Sequence, residues 1–238
     1  MTDRPPAHLP PTALPQMADR LKASLLVVAK APVPGLAKTR LCPPATPEEA
    51  ADVAAAALLD TLDAVLRTPH VRPVVALTGA LREARRSAEI RDALRHFTVI
   101  AQRGASFADR LANAHTDTHR AHGLPVFQIG MDTPQVTPLL LADSVERLTA
   151  HDAVLGPAAD GGWWALGLNE PSLARNLRIV PMSQPDTGTY TLLALGERDI
   201  GTLPVLSDVD DMATARQVAA TVPHTRFAAA LANLGVLR

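Results

Sequence analysis

Leu25-Leu26-Val27-Val28-Ala29-Lys30-Ala31-Pro32-Val33-Pro34-Gly35-Leu36-Ala37-Lys38-Thr39-Arg40-Leu41 is the stretch that decides the fold. Five apolar residues in an unbroken run, halted by two prolines and a glycine, read as a short strand buried on both faces at the centre of a parallel sheet. Thr46-Pro47-Glu48-Glu49 follows, with a capping hydroxyl, a proline at the first helical position and a carboxylate at the third. That combination predicts a helix through the Ala/Leu-rich segment to about Arg67. The alternation then repeats. Pro73 to Thr78 reads as a strand, Ala80 to Arg95 as a mixed-charge helix and Thr98 to Ala101 as a strand, and Ser106-Phe107-Ala108-Asp109 opens a helix to about His122. Val126 to Ile129 is the next strand, ending at Gly130, and Thr137-Pro138 caps a helix to Ala150. Ala153 to Leu155 and Trp163 to Leu168 read as strands flanking a Gly/Pro-rich turn, after which the chain is less regular until Met212 to Thr221.

Strands alternating with helices of this length imply βαβ units, hence an α/β fold with a mainly parallel sheet covered on both faces. Ligands of such sheets bind beyond the carboxyl ends of the strands. This singles out Lys30 to Arg40, the loop around Gly104, Gly130 to Pro134, and Asp160 to Gly162. Residues 1–20, with five prolines among polar residues, read as a disordered extension, and residues 21–238 as one domain.

Composition narrows the function. With 23 Lys+Arg against 24 Asp+Glu, the chain lacks the basic excess of a protein that neutralises many nucleic-acid phosphates. One cysteine, Cys42, excludes an internal disulfide and a multi-cysteine metal site, and makes the cytoplasm the default compartment. No apolar run approaches the ~20 residues of a membrane span.

Four segments carry chemistry. Lys30, Lys38 and Arg40 put three cations on a loop whose path Pro and Gly restrict, which suits a di- or triphosphate; the ordinary alternative is a solvated basic loop. The spacing is not that of a P-loop. Asp132 stands directly after a strand, and one or two such carboxylates suffice for a Mg²⁺-nucleotide. Asp160-Gly161-Gly162-Trp163-Trp164 joins a carboxylate to two glycines that let a ligand approach and to aromatics suited to a sugar or base. Period two sends Trp163 and Trp164 to opposite faces. Asp208 and Asp210 lie on one side of an extended segment, where either could complete a metal shell, whereas Asp211 reads as a helix cap. His115, His119 and His122 share one helical face and read as a solvent-facing row.

Together, Ala29 to Leu41, Gly130 to Pro134 and Leu155-Gly156-Pro157-Ala158-Ala159-Asp160-Gly161-Gly162 resemble bacterial glycosyltransferase-like proteins of the GT-A, nucleotide-diphospho-sugar transferase superfamily, including arsenosugar-biosynthesis glycosyltransferases. The resemblance implies a Rossmann-like three-layer sandwich with a mixed, mostly parallel sheet. It also implies a divalent metal, Mg²⁺ or Mn²⁺, at Asp132, and assigns the loop of Lys30, Gly35, Lys38 and Arg40 to phosphate. Gly104 and Arg110 align with a segment near the nucleotide. The same loop resembles that of phospholactate guanylyltransferases. Two departures are visible: Trp163 stands where the family usually has Tyr, and Met182-Ser183-Gln184-Pro185 replaces a Trp-Ser-Thr-like stretch.

The resulting expectation is a metal-dependent glycosyltransferase with a nucleotide-sugar donor and a small-molecule acceptor. Lys38 and Arg40 stabilise the leaving diphosphate, Asp132 with Asp208 or Asp210 holds the metal, Asp160 orients or deprotonates the acceptor, and Gly161, Gly162 and Trp163 border it. The alternative is nucleotidyl transfer from an NTP to a phosphorylated acceptor with release of pyrophosphate. A third reading is a non-catalytic nucleotide-binding regulator. Base, sugar, acceptor and oligomeric state are left open.

Overall fold

The first strand, β1 (Ala23–Lys30), alternates its side chains between two cores: Leu25 and Val27 enter one, Leu26 and Val28 the other. A strand buried on both faces needs helices above and below, and the chain supplies them. The computed structural model describes residues 21–234; the disordered extension expected over residues 1–20 lies outside the described residues.

α1 (Pro47–Leu66) starts on the anticipated capping box, with Thr46 Oγ1 accepting from the Glu49 amide at 3.2 Å and Glu49 Oε2 accepting from the Thr46 amide at 2.7 Å. β2 (Val71–Thr78), α2 (Ser87–Leu94), β3 (Thr98–Ala101), α3 (Phe107–His122), β4 (Val126–Gly130), α4 (Pro138–Ala150), β5 (Ala153–Pro157) and β6 (Trp163–Leu168) follow in the predicted order. The irregular last third contains a 3-10 segment (Pro171–Ile179), α5 (Thr187–Leu195), β7 (Ile200–Thr202), α6 (Met212–Thr221) and α7 (Arg226–Ala232).

The sheet has the order β3-β2-β1-β4-β6-β5-β7, with β6 antiparallel to both neighbours and every other pairing parallel. It is therefore mixed and mostly parallel, as expected. α1, α2 and α4 pack on one face; α3, the 3-10 segment and α5 pack on the other. A third cluster joins the outer face of α1 to α6 and α7. From β1 the chain moves outward to β2 and β3, then returns to pair β4 on the opposite side of β1. This reversal opens a crevice beyond the carboxyl ends of β1 and β4, where such sheets take their ligands. Among the described residues no helix is long and apolar enough to cross a membrane.

Two local expectations are corrected. The helix predicted over Ala80 to Arg95 is a 3-10 turn (Leu81–Glu83) followed by the shorter α2. Arg86 interrupts it in the left-handed region at φ 49°, where its guanidinium makes a two-pronged ion pair with Asp52 of α1. The histidines of α3 do not form a solvent-facing row: His115 is fully buried, because α3 is covered by the sheet on one side and by the 3-10 segment on the other.

Candidate functional site

The loop after β1 does not stand off in solvent. At Gly35, in the left-handed region at φ 74°, the chain turns back, and the Leu36 amide donates to the Val33 carbonyl. Lys30 Nζ donates to the Leu36 carbonyl at 2.8 Å. Lys38 is itself left-handed at φ 50°, a conformation that costs a non-glycine residue about 1 kcal/mol and persists only where its surroundings enforce it. They do so here: its ammonium donates to the Val209 carbonyl and lies 3.0 Å from Asp132 Oδ1, with the side chain only 9% exposed. Arg40, largely exposed, sits 3.6 Å from Asp210 Oδ2.

Asp132 follows β4 at the switch point. Its backbone carbonyl accepts from the Val209 amide at 3.2 Å, so the late segment is tied across the end of β4. That tie brings Asp208 beside Asp132, with Asp208 Oδ1 accepting from the Thr133 hydroxyl at 3.1 Å. Burial, and next the Asp132 charge, push the Asp208 carboxyl up to about 6. Asp132 and Asp208, with the Lys38 side chain alongside, form a donor set suited to a hard divalent cation. Asp208 and Asp210 part company here, since Asp210 faces Arg40 instead. Among the described residues no group of three or more His, Cys, Asp and Glu side chains has metal-binding geometry, so a cation there would take two protein carboxylates and fill its shell from ligand or water.

On the other side of β4, Asp160 begins a tight turn in which Gly162 N–H donates to Asp160 Oδ1 at 2.9 Å. Gly161 is not open to a ligand. A Cβ there would fall 1.7 Å from the Pro185 carbonyl oxygen, and the Gly188 amide donates to the Gly161 carbonyl at 2.9 Å. The glycine is required because the segment 182–188 packs backbone to backbone on the turn. Trp163 and Trp164 point to opposite faces as expected. Trp164 is buried over Gly156, donating to the Pro204 carbonyl, while Trp163 faces the cleft and donates to Thr191 Oγ1 at 3.1 Å.

Toward β3, Gln102 lines the cleft and uses both amide hydrogens on the carbonyls of Ala29 and Ala76, at 2.8 and 2.9 Å. The Arg110 guanidinium lies 5.5 Å from the centroid of the exposed Phe107 ring. Gly104 shapes this corner by letting the loop touch α3, since a Cβ there would lie 2.5 Å from that of Asp109.

These groups line one open cleft of about 700 Å³. It contains Lys30, Lys38, Arg40, Arg110, Asp132, Asp160, Gly162, Trp163, Asp208 and Asp210; Gly35, Gly104 and Gly161 shape its walls without lining it. Sequence reading passed over Gln128, buried on β4 and lining the same cleft. One polar residue inside an apolar strand, Val126-Phe127-Gln128-Ile129, was the available signal.

The fold is the one shared by nucleotide-diphospho-sugar transferases and cytidylyltransferases. A candidate nucleotide-diphospho-sugar transferase from Desulfovibrio desulfuricans G20 superposes with a TM-score of 0.79 at 22% identity, over 89% of this chain and 94% of that one. The manganese complex of Rv0371c from Mycobacterium tuberculosis H37Rv gives 0.53 at 19% identity, over 84% and 100% of the two chains. CMP:2-keto-3-deoxy-manno-octonic acid synthetase complexed with CTP gives 0.51 at 14%, over 85% and 98%. No curated protein matches the chain. The chain belongs to DUF2064, a family described as an uncharacterized protein conserved in bacteria, whose model matches residues 61–184.

Proposed function

We propose that the protein is a metal-dependent transferase that moves a glycosyl group from a nucleotide-sugar to a hydroxyl of a small acceptor. The observation that carries this reading is the junction of Lys38 with Asp132 and Asp208 at the switch point, between a cationic loop on one side and the Asp160–Trp163 wall on the other. Lys30, Lys38 and Arg40 bind the diphosphate, Arg110 and Gln102 border the nucleoside, and Asp160 and Trp163 receive the acceptor. In transfer, the acceptor oxygen forms a bond to the anomeric carbon as that carbon's bond to the phosphate oxygen breaks. The nucleoside diphosphate leaves with the bonding pair, against Lys38 and Arg40, and the hydroxyl proton passes to Asp160. Asp132 and Asp208 would hold Mg²⁺ or Mn²⁺, which supplies further neutralisation of the diphosphate when bound. The manganese complex of a protein with the same fold supports a divalent cation here.

The likeness to a CTP-bound synthetase favours a second reading, nucleotidyl transfer, since the same loop suits a triphosphate. Product analysis separates the two. Glycosyl transfer releases a nucleoside diphosphate from a nucleotide-sugar; nucleotidyl transfer releases pyrophosphate from an NTP. Asp132→Asn is expected to lower metal-dependent nucleotide binding at least about tenfold, the scale of losing one charged ligand. Binding and turnover unchanged in that variant would remove Asp132 from the metal site.

A further inference from the structure

Each of the three cations on the loop after β1 is held by an acceptor of this chain. Lys30 donates to the Leu36 carbonyl at 2.8 Å and Arg40 lies 3.6 Å from Asp210, and both side chains stay exposed. Lys38 is held differently. Its side chain is only 9% exposed, its backbone is in the left-handed region, and its ammonium donates to the Val209 carbonyl while standing 3.0 Å from Asp132 Oδ1. The partners are themselves tied together, since Val209 is fully buried and its amide donates to the Asp132 carbonyl. The contact therefore has two sides. Asp132 is the carboxylate that a divalent cation would use, and Lys38 is the ammonium that the diphosphate would use; while they are paired, each occupies the other. The Lys38 charge also acts on Asp208, where it opposes Asp132 and Asp160. A divalent cation between Asp132 and Asp208 would stand beside that ammonium, and like charges a few ångströms apart repel. Lys38 lines the cleft together with Lys30 and Arg40, so an ammonium displaced from Asp132 turns into the space assigned to the diphosphate.

We propose that the Lys38–Asp132 pair is a latch that couples nucleotide binding to metal binding. While the pair is closed, Lys38 contributes little to nucleotide affinity; when Asp132 is taken by a cation the pair opens and Lys38 turns to the diphosphate. The proposal rests on the transferase reading above and adds how its site is assembled. The coupling is reciprocal: a nucleotide that draws Lys38 away leaves Asp132 to the cation, and raises its affinity by the same factor. Simple attraction between cation and diphosphate would also link the two ligands. It would not make the worth of Lys38 depend on Asp132 when the metal is removed.

The test is a double-mutant cycle on the full chain, Asp132→Asn against Lys38→Met, read by calorimetry in EDTA and again in Mn²⁺ at constant ionic strength. The probe is whichever of UDP, GDP, CDP and dTDP the wild type binds most tightly with Mn²⁺. In EDTA, Asp132→Asn opens the latch without supplying a cation. It should tighten the probe at least about fivefold when Lys38 is present and less than about twofold in the Lys38→Met background. In Mn²⁺ the effect of Asp132→Asn reverses sign, because a metal carboxylate is lost, and Lys38→Met should cost at least about fivefold more than it does in EDTA. Lys38→Gln, which keeps a donor for the Val209 carbonyl, repeats the cycle should Lys38→Met fail to fold. An equal effect of Asp132→Asn in both backgrounds, or no tightening by it in EDTA, overturns the latch and leaves the transferase reading standing. No tightening of any probe by Mn²⁺ in the wild type is a different outcome: it overturns that reading and the latch with it.

Discussion

Two titratable residues pull stability in opposite directions with pH, and each can be isolated by one substitution. Burial pushes His115 down from 6.5 to about 3, and neither ring nitrogen has a hydrogen-bond partner among the described residues. The unfolded chain takes up a proton below about 6.5 that the folded chain refuses, so this contribution is complete above 6.5 and is lost as the pH falls toward 3. His115→Leu should flatten the acid side of the stability curve, by about 4 kcal/mol over that interval, measured as the wild-type minus variant difference in denaturant unfolding. Asp208 runs the other way. Its carboxyl is raised from 3.8 to about 6, so the folded chain keeps a proton that the unfolded chain releases. In the metal-free protein that contribution is complete below about 4 and is lost as the pH rises through 6. Asp208→Asn should remove this loss, leaving a metal-free protein whose melting temperature falls less between pH 4 and 7. Wild-type and variant curves of equal slope would show that Asp208 ionises normally.

Among the elements, the contact between the Asp160–Gly162 turn and the segment 182–188 matters most for the cleft. Gly161 sits at φ 87° with the Pro185 carbonyl where a side chain would be. Gly161→Ala therefore combines backbone strain with a steric clash and should lower stability by about 2–4 kcal/mol, read as a drop in denaturation midpoint. It should also open the Trp163 end of the cleft, so that nucleotide binding survives better than turnover with an acceptor. Equal loss of both would mean that the segment supports the whole cleft. The same segment explains why Gly161, unlike Gly162, offers no approach to a ligand. Their sequence pattern is that of a tight turn, and what covers a tight turn is decided by chain 20 residues or more away.

At the scale of the whole molecule, the site is a crossing of distant segments: the loop after β1, the end of β4 and the stretch around Val209 meet through the Lys38–Asp132 ion pair, the Lys38 ammonium on the Val209 carbonyl and the Val209 amide on the Asp132 carbonyl. Nucleotide with Mn²⁺ should therefore raise the melting temperature of the entire domain, and EDTA should abolish that rise, since binding to the folded state alone stabilises it by mass action. A rise that persists in EDTA would separate nucleotide binding from the carboxylates. Local chemistry sufficed for much of this architecture. Apolar runs stopped by Pro and Gly, together with capping patterns at Thr46, Ser106 and Thr137, define the strand–helix alternation and hence a parallel sheet with its ligand edge. Lys30, Lys38, Arg40, Asp132, Asp160 and Trp163 could be singled out because they stand at strand ends or in the loops between them. Tertiary structure alone decided that β6 runs antiparallel, that His115 is interior, that Asp208 rather than Asp210 stands beside Asp132, and that Gln128 lines the cleft. The physical reason is range: capping, periodicity and turn chemistry act over a few residues, whereas burial and charge coupling depend on neighbours brought together by the fold.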